Sequence, residues 1–82
     1  MQPEEIKQVI EQGLAGARVD VRGDGQHFEA VVVCDAFANK TMVQQHQLVY
    51  QVLGDKMQGA IHALSLRTYT PEQWAERSKS TN

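Results

Sequence analysis

Three histidines and one cysteine carry most of the chemistry open to this 82-residue sequence: His27, His46, His62 and Cys34. Imidazole and thiolate can ligate a metal, move a proton or attack an electrophile. Nucleophilic catalysis would need a base and an orienter beside the nucleophile. No GxSxG, HExxH or CxxC occurs to supply such a set. Gly23-Asp24-Gly25 lacks the third glycine and the strand–helix context of a phosphate-binding loop, so it reads as a turn. A single thiol can form no internal disulfide and no Cys-rich metal site within one chain, which fits a reducing compartment. These residues point to binding chemistry, and an enzyme is not expected.

The elements that must position these side chains follow from pattern. Pro3–Leu14 is predicted as a helix, with Pro3 early, Glu4 and Glu5 at the positive end of its dipole, and Ile6, Val9, Ile10 and Leu14 on one stripe. Gly13 and Gly16 bracket its end. Ala17–Arg22 alternates as a strand, Gly23–Gln26 turns, and His27–Cys34 returns as the second arm of a hairpin. Phe28, Ala30, Val32 and Cys34 should face inward, His27 and Glu29 outward. Asp35–Thr41 connects, anchored by Phe37, to a helical region over Met42–Met57 that Gly54-Asp55 can break. Gly59 marks the way into a last strand over Ile61–Tyr69, where parity places His62 on the face of Leu64 and Leu66 at the strand's mouth. Thr70-Pro71-Glu72-Gln73 then reads as a capped helix start, with Trp74 and Ala75 packing that helix back onto the sheet. The order α-β-β-α(α)-β-α predicts an α+β fold: a three-stranded mixed sheet with helices packed on one face. One domain spans 1–77, and 78–82 is read as a flexible polar tail.

Eight Lys+Arg against ten Asp+Glu give a net charge of −2, with the cations scattered. A duplex-binding domain normally carries a basic stripe, so nucleic acid is demoted. No apolar run approaches the roughly 20 residues of a membrane helix, and Met1–Glu5 lacks the layout of a secretory signal. No membrane association is expected, and a cytoplasmic location is.

The segments HFEAVVVCDAF, QQHQLVYQVLGDKM and IHALSLRTYTPEQW, in that order, resemble the BolA family and, within it, its short acidic IbaG-like bacterial members. The likeness covers about Val19 to Arg77, with IHALSL followed by TYTPEQW its most specific block. It implies a BolA-like fold related to the type II KH domain. It also implies a partner, a monothiol (CGFS-type) glutaredoxin, and a 2Fe–2S cluster shared with that glutaredoxin and glutathione, with none expected in the isolated protein. The free form would be a monomer or weak homodimer.

On that resemblance His62, the histidine of the IHA block, is the iron ligand; from the residues alone the favoured reading is a partly buried histidine satisfied by a backbone carbonyl. His27 stands where the family's loop between the first two strands carries a second candidate ligand, Cys in some members and His in others. Its alternative is an ordinary polar residue on the outer face. Asp24 is a weaker candidate because carboxylate oxygen is hard for iron–sulphur ligation. Cys34 is weaker too, since its parity makes it a small core hydrophobe. His46 lies in Gln44-Gln45-His46-Gln47, where many BolA-like proteins carry an Arg-His-Arg-like cluster. Glutamines here remove the charges a phosphate backbone would meet. Tyr69 and Trp74 read as anchors for the last helix, with Arg67 and Arg77 able to frame a partner surface beside His62. The alternative function is a KH-like nucleic-acid-binding transcriptional regulator of the stress-response BolA type. No basic-flanked GxxG loop supports it, because Gly13 and Gly16 have the spacing without the neighbours.

Overall fold

The computed structural model describes residues 2–24, 26–54 and 63–80. Gly25 of the turn, Asp55 to Met57, Gly59, Ile61 and His62 lie outside the described residues. The described chain runs α1 (Pro3–Gly13), β1 (Arg18–Gly23), β2 (Phe28–Val33), a 3-10 turn (Asp35–Phe37), α2 (Met42–Leu53), β3 (Leu64–Tyr69) and α3 (Pro71–Ser80). The sheet order is β1-β2-β3, with β1 antiparallel and β3 parallel to β2. The mixed three-stranded α+β fold expected from the pattern is therefore present.

Each helix start is built from local chemistry. Pro3 opens α1, and the Gln2 N–H donates to Glu5 Oε1 at 3.1 Å. Thr41 Oγ1 accepts from the Gln44 N–H at 3.2 Å while Gln44 Oε1 takes the Thr41 N–H at 2.9 Å. The same reciprocal pair recurs at Thr70 and Gln73, at 3.1 and 2.9 Å, so both termini satisfy orphan donors.

One face of the sheet carries Val19, Phe28, Ala30, Val32 and Leu64 against Ile6, Ile10 and Leu14 from the α1 side and Val49 and Leu53 of α2. Cys34 and Phe37 complete this core, with Phe37 wholly buried. Gly13 is where α1 meets α2, because a Cβ there would collide with Val52 Cγ1. Gly16 has φ +77°, the left-handed conformation its neighbours would resist. Close packing and backbone conformation thus account for both glycines of the GxxG-like spacing.

Three expectations shift. The strand predicted from Ile61 begins at Leu64, with Ala63 in a 3-10 turn. The expected face of His62 lies outside the described residues. His27 and Cys34 flank β2 instead of belonging to it. Helix α3 continues to Ser80, past the Arg77 boundary drawn from sequence, since no Gly or Pro stands there to stop it.

Candidate functional site

The sheet ends in one row of partners: Gly23 of β1 beside Phe28 of β2, and Phe28 beside Leu64 of β3. His27 directly precedes Phe28, and His62 is two residues before Leu64 in sequence. His27 therefore stands beside this row, while His62 lies outside the described residues.

His27 is exposed and is held by its neighbour Asp24. Asp24 Oδ1 accepts the N–H groups of His27 at 2.8 Å and Gln26 at 2.9 Å, and the Asp24 N–H donates to the His27 carbonyl at 3.2 Å. This is the side-chain turn that aspartate makes with amides two and three residues ahead, a spacing readable in the sequence but first noted there only as Asp-Gly. A shallow hollow of about 250 Å³ opens beside it, lined by Arg22, Gly23, Asp24, His27 and Glu29. Asp24 thus fixes the backbone that presents the imidazole, with one carboxylate oxygen engaged by two amides.

The His27 N–H, and after it the Gln26 N–H, hold the exposed Asp24 carboxyl below the ordinary carboxylate range. A carboxyl lowered in the fold adds stability that is present above its ordinary pKa and is lost as pH falls through the lowered value. The turn should therefore be intact at neutral pH and loosen only in acid. In an NMR titration the His27 and Gln26 amide protons are expected to move together, with a midpoint below that of an unperturbed aspartate. Asp24→Asn should abolish the step; a midpoint at or above the ordinary value would contradict the assignment.

Cys34 is placed elsewhere. It lies at the other end of β2, roughly 20 Å from His27 at strand rise. It is buried, and its Sγ points to the Ala15 carbonyl at 4.0 Å. The structure brings Asp24 and His27 together and keeps Cys34 apart from them. Among the described residues, no three His, Cys, Asp or Glu side chains converge as a metal set.

His46 is half-buried on α2, beside Met42, Leu66, Arg67, Thr68 and Tyr69. Tyr69 and Trp74 pack with ring centroids 5.3 Å apart. Arg77 lies over both rings at 5.6 and 5.8 Å, and its Nη1 donates to the Tyr69 hydroxyl at 3.2 Å. This cluster closes the far end of β3, five strand positions from Leu64. Arg77 therefore does not frame the His27 end of the sheet. The Trp74 indole also borders a cleft with Val31 and Val33 on the sheet face opposite the main core.

Sequence reasoning missed Gln45. Its side chain is buried within α2, donating through Nε2 to the Phe37 and Lys40 carbonyls at 3.2 and 3.0 Å. Its Oε1 accepts from Thr68 Oγ1 at 2.6 Å. One amide thus joins the connector, α2 and β3.

Comparison with known proteins agrees with this architecture. The family model described as BolA, BolA-like protein, matches residues 5–73. A Haemophilus influenzae protein named DNA-binding transcriptional regulator BolA is 41% identical over 59 residues, 72% of this chain and 57% of that protein. The match thus spans little more than half of that relative. The Escherichia coli K12 acid stress protein IbaG is 36% identical over 80 residues, covering 96% of this chain and 95% of its own length. The solved structure of a bolA protein homologue from Coxiella burnetii superposes with a TM-score of 0.82 at 51% identity, covering 92% of this chain and 97% of that one.

Proposed function

The chain belongs to the BolA family, and from that premise we propose that it is a non-enzymatic, cytoplasmic binding partner of a monothiol, CGFS-type glutaredoxin. Its role is to help hold or hand on a 2Fe–2S cluster in iron homeostasis. His62 supplies one iron ligand and His27 is the candidate for a second. Thiolates from the glutaredoxin and from glutathione hold the other iron.

The observation that supports this reading is His27, exposed beside the Gly23–Phe28–Leu64 row on a turn fixed by Asp24, with His62 two residues before Leu64 in sequence. The donor chemistry suits the cargo, because neutral imidazole is an accepted iron ligand and mixed His/Cys ligation raises a cluster's potential. Two imidazoles are too few to hold a cluster, so the partner must complete the site. No helix among the described residues is long and apolar enough to cross a membrane. The expected mechanism is ligand exchange: a cluster bridging two glutaredoxins passes to a heterodimer as imidazole replaces a thiolate–glutathione set on one iron. Adding this protein to cluster-loaded glutaredoxin should give a new visible circular dichroism spectrum that saturates at one equivalent. An unchanged spectrum would refute the proposal.

One observation favours a second reading, a nucleic-acid-binding regulator: the name carried by the Haemophilus influenzae relative. Salt separates the two readings. Phosphate contacts give an affinity that falls steeply with salt, and the cluster-partner reading predicts a slope near zero for any DNA affinity.

A further inference from the structure

Strand β3 is an edge of the sheet, paired on one side by β2 and on the other by nothing among the described residues. The Tyr69 carbonyl accepts the Cys34 N–H at 3.0 Å, so it faces the β2 side. In extended backbone the N–H and C=O of alternate residues point to opposite sides. Those of Leu66 and Thr68 therefore point away from the sheet, and no described residue bonds to them. An open edge of this kind is a template for an added strand.

The side chains along this edge state what kind of strand it would take. On the inner side, Met42 is 70% exposed at the start of α2 and shares a hollow of about 280 Å³ with His46 and Leu66. On the outer side is Arg67, exposed and without an ion pair among the described residues. Lys40 lines the adjoining hollow of about 390 Å³. No carboxylate lines either hollow; the carboxylate near Arg67 is Glu29, which shares a smaller hollow with it on the β2 side and not on the open edge. A strand on this edge would therefore place alternate side chains against Met42 and Leu66, which want apolar contact, and against Arg67, which wants an anion.

We propose that the free edge of β3, with Met42, His46 and Arg67, docks an extended acidic segment of a partner protein whose apolar and acidic residues alternate. A second copy of this chain fits less well. Antiparallel self-pairing through Leu66 and Thr68 brings the two Arg67 side chains opposite or diagonal to one another, an unfavourable like-charge pair. Nucleic acid fits less well because the edge alternates carbonyls with N–H groups, and the carbonyls repel phosphate. The proposal uses neither His27 nor His62, so it is independent of the cluster proposal.

The test is amide NMR on ¹⁵N-labelled full-length protein, with a capped hexapeptide of alternating Glu and Val as probe. The Lys–Val counterpart and an oligothymidylate serve as comparison ligands. The acidic peptide is expected to shift the Leu66 and Thr68 amides and slow their hydrogen exchange, since strand addition bonds those N–H groups. Arg67→Glu should weaken binding about fivefold, and Arg67→Gln by less; Arg67 is exposed, so the fold should persist. Equal binding of the Lys–Val peptide, or no protection of these amides, would overturn the proposal. Preferential binding of the oligothymidylate at this edge would overturn it in favour of nucleic acid. Concentration-dependent protection without any peptide would overturn it in favour of a second copy.

Discussion

Phe37→Ala is expected to remove most of the stability of the fold. The ring is wholly buried in the core that α1, α2 and the sheet share. Truncating such a phenylalanine typically costs about 3–5 kcal/mol, from lost transfer energy plus an unfilled cavity. A domain this small holds only roughly 5–8 kcal/mol in all. Urea denaturation should show the midpoint fall by about half or more. Met42→Ala, at a side chain 70% exposed, should move the same curve by less than about 0.5 kcal/mol. A Phe37→Ala loss below about 1 kcal/mol would mean that the connector is not packed as described.

Gln45→Leu is expected to cost about 2 kcal/mol although it keeps the volume and adds hydrophobicity. The loss arises because the Phe37 and Lys40 carbonyls and the Thr68 hydroxyl would each lose a partner in a partly or fully buried place. Buried polar groups left unsatisfied cost about 1–3 kcal/mol, more than the hydrophobic gain returns. Thr68→Val in the Gln45→Leu background should recover part of the loss, since it removes one stranded hydroxyl. The double-mutant cycle measures this coupling, and additive losses would show that the Gln45–Thr68 bond contributes nothing.

Much of this architecture is legible in sequence because it rests on local chemistry. The Thr70–Gln73 cap, the hairpin and the inward set of Phe28, Ala30, Val32 and Cys34 all follow from spacing, and all are present. What escaped depends on distant partners. Nothing in the spacing singles out Gln45, because two of its partners are backbone carbonyls and the third is 23 residues away. The start of β3 escaped because a β-compatible run does not reveal where pairing begins. The hairpin decides that: β2 begins at Phe28, and its partner is Leu64. The sequence does not show α3 folding back onto Tyr69, which carries the Arg77 guanidinium to the end of β3 away from Leu64. For the candidate site, composition and spacing pick out the few residues able to ligate, and the turn built on Asp24 explains how one of them is presented. The assignment of iron to His62 comes from the family resemblance, and spacing alone would not supply it.

The most direct test of the central claim is a titration of cluster-loaded monothiol glutaredoxin, followed by visible absorption and circular dichroism, with wild type, His62→Ala and His27→Ala side by side. The account predicts a new heterocomplex spectrum with wild type, its loss with His62→Ala, and a weakened or altered spectrum with His27→Ala. A His62→Ala spectrum identical to wild type would contradict it and move the ligand to His27 or Cys34.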